Sequence, residues 1–359
     1  MRACAVILAG GKGERLWPVS TPERPKPFLP LGGGGRSLLR ATYERVLPVV
    51  GEDQVFVVVD LEHASLVRRE LELAEEHIII EPEGKNTAPA IGLAATILWM
   101  RKHESVMIVL PSDHLIGEEE KFREALRTAI EVANNGYLVT FGIVPTYPAS
   151  SYGYIQQDMP LNDKVFYVRR FVEKPDSKTA EHFLATGSYF WNSGIFVWQT
   201  RKILEEIQRY LPKLADVLKK LAHFYDTPLW WSKLTELWSQ VEPISVDYGI
   251  MEHAQDVVMI PIDVQWSDVG DWRAVWEILP KGEGEIAQIG EHLGIDTFRT
   301  LVWAAGGKPI VTLGVKDLVI VDTPEALLVA DMSRAQEVRE AMRRLNKLQK
   351  GGKRQAEQQ

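Results

Sequence analysis

The stretch ACAVILAGGKGERLWPVSTPERPKPF, from Ala3 to Phe28, limits what this chain can fold into more than any other part of it. An apolar run from Ala3 to Leu8 fits a buried strand. It empties directly into Gly10, Gly11 and Gly13, which can turn tightly and leave backbone N–H groups facing outward. Outward-facing amides cradle phosphate. Arg15 and Lys26 follow in the same loop, which Pro18, Pro22, Pro25 and Pro27 stiffen and which holds no long apolar run. A stiff, basic, glycine-rich loop points to a polyphosphate. The two commoner phosphate motifs do not apply. The dinucleotide fingerprint needs a third glycine where Leu16 stands, and Gly-Lys followed by Ser or Thr occurs nowhere. Taken alone, the segment is equally well a glycine-rich strand-to-helix turn.

Downstream, strands and helices alternate. Ser37 to Val46 reads as a helix, Gln54 to Val59 as a buried strand, and a helix follows Glu62. A strand at His77 to Ile80, a helix over about Ala88 to Arg101 and a strand at Val106 to Leu110 continue the pattern, and a further helix precedes Leu138 to Ile143. Strands joined by helices imply right-handed crossovers, a mostly parallel sheet, and ligands at the carboxyl ends of its strands. From Tyr152 the order loosens, with strands expected at Tyr152 to Gln156, Val165 to Val172 and Gly194 to Trp198, and helices around Ala180 and over Ile203 to Leu221. Trp230, Trp231 and Trp238 fall at helical spacing and are read as packing rather than as a sugar platform. Past the glycine-rich linker at Gly282 to Gly284, four short β-branched runs between Leu301 and Ala330 predict a small β module. The last segment spaces Val338, Met342, Leu345 and Leu348 as one face of a packed helix among basic residues, with a basic partner-binding helix as the alternative.

The 359 residues suffice for a substantial core with an appendage, and a net charge of -8 argues against broad nucleic-acid binding, so any phosphate site is local. The single cysteine, Cys4, excludes an intrachain disulfide and a multi-cysteine zinc site; a buried small apolar residue in a reducing cytoplasm is expected. The N-terminal apolar run is too short for a secretory signal, and Ile91 to Met100 cannot span a bilayer, so no membrane partner is expected.

Several carboxylates stand at strand ends. Glu81, in EPEGKNTAPAI, lies where it can accept both the N1–H and the exocyclic N–H of guanine, a donor pair absent from adenine and the pyrimidines. Asn86 or Thr87 can cap the helix that follows, with Pro89 in its first turn. In VLPSDH, Ser112 and Asp113 end another strand, and Asp113 can equally cap a turn. WSDVGDW offers Asp268 and Asp271, the latter able to cap a helix around Ala274. His114 is a hydrogen-bonding neighbour rather than a metal ligand, since no second histidine stands at ligand spacing. Asp247 and Tyr248 precede a helix, where both capping and sugar recognition are open.

The pattern G-G-x-G-x-R-L-x-P followed by P-K-P-F resembles the sugar-1-phosphate nucleotidyltransferases, and EPEGKNTAPAI is closest to their guanylyltransferase branch. The resemblance implies an α/β fold, with a Rossmann-like nucleotidyltransferase domain over residues 1–281. A β-helix-like module with a terminal helix would cover 285–350, and a flexible tail 351–359. It also implies Mg²⁺ on Asp113 and Asp268, hard oxygen ligands that suit this ion, with Asp271 the competitor for the second place, and nucleotide contacts at Asn86, Thr87 and Ser112. Glu173 of FVEKP would bind sugar hydroxyls and Lys174 the sugar phosphate, while Gly142, Gly153, Asn192 and Gly194 would approach the sugar. Family members commonly carry T-G-Y-G-Y-I where this chain has Ser150 and Ser151 before Tyr152, so one backbone contact is not carried over.

The implied reaction joins GTP and mannose 1-phosphate, with Arg15, Lys26 and Lys174 acting on the phosphates of a cytoplasmic homodimer. Another NTP or hexose 1-phosphate is the alternative within the family. Outside catalysis the alternative is a nucleotide-sugar-sensing subunit. A degenerate sensor would have lost charged groups, whereas Arg15, Lys26, Asp113, Lys174 and Asp268 are all present. No room remains for the isomerase domain some relatives carry, so one activity is expected.

Overall fold

A computed structural model describes residues 2–11, 13–101 and 104–356, with side chains in the last helix up to Leu348. The chain forms two compact units. One comprises Met1–Gly10, Leu39–Ser112 and Ile116–Trp266; the other comprises Gly11–Leu38, Asp113–Leu115 and Ser267–Gln359.

The first unit opens with β1 (Arg2–Leu8), α1 (Leu38–Val50), β2 (Val55–Asp60), α2 (Ala64–Leu71), β3 (Ile78–Glu81), α3 (Thr87–Met100) and β4 (Ser105–Pro111). A two-residue strand, β5 (Leu115–Ile116), lies where the chain returns from the second unit. Then come α4 (Glu119–Ala133), β6 (Leu138–Ile143), β7 (Tyr154–Pro160), β8 (Phe166–Val172), α5 (Ser177–Thr186) and β9 (Tyr189–Gln199). Helices α6 (Thr200–Tyr210), α7 (Pro212–Ala222) and α8 (Trp230–Trp238) precede β10 (Val257–Ile262), and β11 (Trp266–Ser267) is the last crossing.

Nine strands make one sheet in the order β3-β2-β1-β4-β9-β6-β10-β8-β7. Its two reversed strands are β9, antiparallel to both β4 and β6, and β8, antiparallel to both β10 and β7. The remaining strands share one direction, as the alternation of strands and helices predicts. Both reversed strands come after β6 in the chain: β8 pairs with β7 as a hairpin, and β9 is inserted between β4 and β6. Helix α3 is apolar on every side, and Ala88 through Leu98 are all buried. It lies in one core with residues of β1 and of α6 and α7. A Cβ at Gly92 would stand 2.8 Å from Leu218 Cδ1, so the glycine lets α7 pack close.

The single helix expected over Ile203 to Leu221 is two. Pro212 lacks the N–H that would continue α6, and it starts α7 in the position where proline is tolerated. The expected strand at Gly194 to Trp198 is longer, because residues Tyr189 to Trp191 also pair, with β7. Trp238 is buried and donates to the Glu83 carbonyl at 2.8 Å, and Trp230 packs on the same core, while Trp231 is exposed. Cys4 is buried, and burial pushes its thiol up to about 11, as its packing role implies.

The second unit takes the glycine loop into the same core as the C-terminal strands. Its elements are α9 (Trp272–Ile278), β12 (Ala287–Ile289), β13 (His292–Ile295), β14 (Leu301–Ala304), β15 (Ile310–Leu313), β16 (Leu318–Asp322), β17 (Leu327–Asp331) and α10 (Val338–Ala356). Two parallel ladders, β12-β14-β16 and β13-β15, give the β-helix-like form, and β17 closes the first ladder antiparallel. Leu16 and Leu29 of the loop are buried with Trp272, Trp303, Val319 and Val321. The Trp272 indole donates to the Trp17 carbonyl at 2.9 Å. On α10 the apolar stripe packs at Val338 and fades to a largely exposed Leu348. The helix continues through the expected tail to Ala356, and residues 357–359 lie outside the described residues. No helix among the described residues is long and apolar enough to cross a membrane.

Candidate active site

In the second unit, the glycine loop and two distant aspartates line a cavity of about 430 Å³. Gly13 has φ 60°, and a Cβ there would come within 2.3 Å of Lys26 Cβ, so both backbone conformation and close approach require glycine. Gly11 faces Asp113, whose Oδ2 a Cβ would approach to 3.5 Å, whereas nothing lies within 4 Å of such an atom at Gly10.

Lys26, only 7% exposed, sits on a 3₁₀ turn (Lys26–Phe28). Its Nζ donates to Asp113 Oδ2 at 2.7 Å and to the Asp268 carbonyl. Burial alone would raise the Asp113 carboxyl, but the Lys26 ammonium and, less strongly, His114 outweigh it and hold the group below the usual carboxylate range. The Asp268 side chain accepts from the Gly270 amide at 3.1 Å, and Arg15 donates to the Gly270 carbonyl at 3.4 Å.

Asp271 does not line this cavity. It caps α9 through the Ala274 amide at 3.0 Å and accepts from Gln336. Glu14 and Arg339 also line the cavity, and sequence reasoning passed over both. The only signal for them was the basic spacing on the last helix. Among the described residues no cluster of three or more His, Cys, Asp or Glu side chains could hold a metal. The cavity is lined by three carboxylates: Asp113, paired with Lys26; Glu14, paired with Arg339 and Arg343; and Asp268, which accepts from the Gly270 amide.

In the first unit, Ser112 is buried at the end of β4, its amide donating to the Leu8 carbonyl at 3.1 Å. Glu81 ends β3 opposite Asp60 of β2. It is 5% exposed, and its Oε1 is buried without a hydrogen-bond partner among the described residues. Burial, then the neighbouring Asp60 carboxylate, push it up to about 8 against the support of the Lys85 amide. Asp60 was not singled out from sequence, although it ends the apolar run VFVVVD. Asn86 caps α3, accepting from the Thr87 amide at 2.8 Å, and the Thr87 hydroxyl accepts from the Val246 amide at 2.8 Å.

A second group of predicted residues gathers in the same unit where β6 and β9 pair. Gly142 stands opposite Asn192, with Phe190 filling the space a side chain would need. Asn192 Nδ2 donates to Asp247 Oδ1 at 2.6 Å, its Oδ1 accepts from the Gly194 amide at 3.2 Å, and its own amide donates to the Gly153 carbonyl at 2.8 Å. A Cβ at Gly153 would fall 2.4 Å from Glu173 Oε2. Lys174 holds the left-handed φ of 46° and donates to Glu173 Oε1 at 2.6 Å. Non-glycine residues held in this region cost energy and concentrate at functional sites. Asp247 is pushed up to about 6, first by burial and then by the Glu173 carboxylate.

The pattern of the family described as nucleotidyl transferase matches residues 4–284, and that of a MannoseP isomerase/GMP-like beta-helix domain matches 290–345. A mannose-1-phosphate guanylyltransferase of Escherichia coli K12 is 40% identical over 355 residues, covering 95% of this chain and 73% of that protein. One from Klebsiella pneumoniae is 38% identical, covering 96% and 74%. The crystal structure of a Thermus thermophilus protein named a mannose-1-phosphate geranyltransferase superposes with a TM-score of 0.88 at 35% identity, over 96% of this chain and all of that one. By the extent of these matches, the chain belongs to the nucleotidyl transferase family and, within it, to the mannose-1-phosphate guanylyltransferases.

Proposed function

We propose that the protein transfers GMP from GTP to mannose 1-phosphate, forming GDP-mannose and releasing pyrophosphate. The observation that carries this reading is Lys26 joined to Asp113 and Asp268 in a cavity that Arg15 also lines. A phosphate oxygen of mannose 1-phosphate forms a bond to the α-phosphorus of GTP as the bond from that phosphorus to the bridging oxygen of pyrophosphate breaks. The nucleophile is already anionic, so no general base is needed, and the work of the protein is to orient two anions that repel each other.

Arg15 and Lys26 hold the β- and γ-phosphates and the departing pyrophosphate, with the loop amides of Gly10, Gly11 and Gly13. Glu81 reads guanine: its unpartnered oxygen is suited to the N1–H and exocyclic N–H donor pair. Glu173, Asn192 and Asp247 take the sugar hydroxyls, and Lys174 orients the attacking phosphate. Asp113 and Asp268 fit Mg²⁺ as a pair of hard donors completed by phosphate oxygens and water, and Asp113 is kept ionised as a ligand must be. Bound there, the ion would neutralise charge on the α-phosphate.

The homodimer is supported by an exposed apolar face. Leu293 and Ile295 of β13 and Val311 and Leu313 of β15 are each at least 47% exposed, unusual for one small sheet. Pyrophosphate release from each NTP paired with each hexose 1-phosphate tests the activity. GTP with mannose 1-phosphate should give the fastest release. A faster pair overturns the substrate assignment, and no release from any pair overturns catalysis.

A further inference from the structure

The last helix brings to the phosphate cavity a cation that the scheme above does not use. Arg339, the second residue of α10, lines the cavity together with Arg15, Lys26 and Asp113. Its Nε donates to the Glu14 carboxylate, and Arg343, one helical turn on, stands 3.5 Å from the same oxygen. Glu14 opens the 3₁₀ turn (Glu14–Leu16) directly after Gly13, so α10 is tied to the glycine loop inside one compact unit.

A carboxylate in the wall of a polyphosphate cavity is a liability, since at short range it repels the ligand. Two arginines offset that charge. They are not equivalent, however: Arg339 lines the cavity and Arg343 does not. A guanidinium carries five N–H donors in a planar fork, so an Nε spent on Glu14 leaves its two terminal nitrogens for phosphate oxygens. The Arg339 side chain is 48% exposed, so these nitrogens are not sealed into the fold.

We propose that Arg339 is a third basic ligand of the triphosphate, oriented by Glu14, and that it grips the β- and γ-phosphates and the departing pyrophosphate beside Arg15 and Lys26. The β-helix-like part and its terminal helix thereby take part in nucleotide binding within a single chain. The proposal rests on reading this cavity as the triphosphate site.

The test uses the full chain and two readouts: calorimetric titration with Mg²⁺ and inorganic pyrophosphate, and steady-state KM values for GTP and for mannose 1-phosphate. Arg339→Gln should weaken pyrophosphate binding and raise the GTP KM about tenfold to a hundredfold, as loss of a charge-assisted contact does, with the mannose 1-phosphate KM within about twofold of the parent. Arg343→Gln, which removes the other tie to Glu14, should leave all three values within about twofold. Glu14→Gln added to Arg339→Gln should restore only part of the binding, the part owed to relief of the Glu14 charge. Pyrophosphate bound by Arg339→Gln as tightly as by the parent, equal losses in Arg339→Gln and Arg343→Gln, or full rescue to the parent value by Glu14→Gln would each overturn a direct contact. If the parent chain itself neither binds pyrophosphate nor releases it from GTP, the triphosphate reading falls as well, and the two failures are thereby told apart.

Discussion

Asp113, in the cavity beside the glycine loop, and Glu81 and Asp247, proposed to read base and sugar, are tuned in opposite directions. Asp113 sits against the Lys26 ammonium and is held below the usual range, whereas Glu81 is pushed up to about 8 and Asp247 to about 6. Both environments remove water; at Asp113 the Lys26 ammonium bonded to it outweighs that loss, whereas at Asp247 the pull of Lys174 is smaller than the effects of burial and of Glu173. The difference matches the ligands. A group that must hold a divalent cation has to be ionised before the cation arrives. A group that reads N–H or O–H donors can wait, protonated or strained, until those donors take over its solvation.

The largest expected effect removes the charge that makes the two regions differ. Lys26→Ala should lower kcat/KM for GTP about 10²-fold or more, the usual cost of losing an electrostatic contact to the transferring group. It should also raise the Asp113 carboxyl toward the behaviour of Glu81. Near-normal turnover in this variant would falsify the role given to Lys26.

On the other side, Glu81→Gln places an amide N–H against one of guanine's two donors and should raise the GTP KM about tenfold to a hundredfold. In the parent the carboxylate is the binding form. Apparent GTP affinity should therefore tighten as pH rises toward 8, by up to about tenfold per unit below that value, and the variant should be flat over the same range. A parent profile no steeper than that of the variant defeats the assignment.

These contrasts were only partly legible beforehand. The strand-to-glycine transition, Lys26 and Asp113 were found from residue type and order, because a phosphate loop needs glycine at Gly13 and a cation nearby wherever it occurs. The short strands of the C-terminal module were found from their β-branched runs. What could not be read was partnership across sequence distance. Nothing local announces that Leu16 is buried with Trp272 and Val319, that Glu14 meets Arg339, or that Asp60 stands beside Glu81 and raises it. The break of the helix at Pro212 was legible and was outweighed by the apolar spacing around it. Asp271 caps α9 through the Ala274 amide and accepts from Gln336, partners that spacing alone does not give, and its separation from Asp268 as a ligand is part of the proposal.

That separation is itself testable. Asp268→Asn should raise the Mg²⁺ concentration needed for half-maximal turnover about tenfold or more, since a neutral amide is a poor ligand for a hard cation. Asp271→Ala should leave the Mg²⁺ requirement alone and lower stability by about 1 kcal/mol through the lost cap. The reverse pattern would exchange their roles.

A smaller effect on substrate binding is expected at Asp247, and it comes with a pH-dependent signature in stability of the kind that the raised Glu81 carboxyl also implies. Its carboxyl rises from 3.8 to about 6 through burial and the facing Glu173, while Asn192 and Lys174 pull it back. A folded-state pKa above the unfolded one stabilises the protein fully below about pH 4, and that contribution is lost as pH rises through about 6. Asparagine keeps an acceptor for Asn192 and cannot ionise. Asp247→Asn should therefore raise the mannose 1-phosphate KM only about threefold to tenfold, the range of one neutral hydrogen bond. Its stability relative to the parent should improve between pH 4 and pH 7 by on the order of 2 kcal/mol, at about 1.4 kcal/mol per pKa unit. Urea unfolding of both proteins at the two pH values measures this directly. A stability difference that does not change with pH would mean that folding leaves the Asp247 carboxyl unshifted, and one that falls as pH rises would mean that it is held down as Asp113 is; either outcome removes the contrast between the two regions.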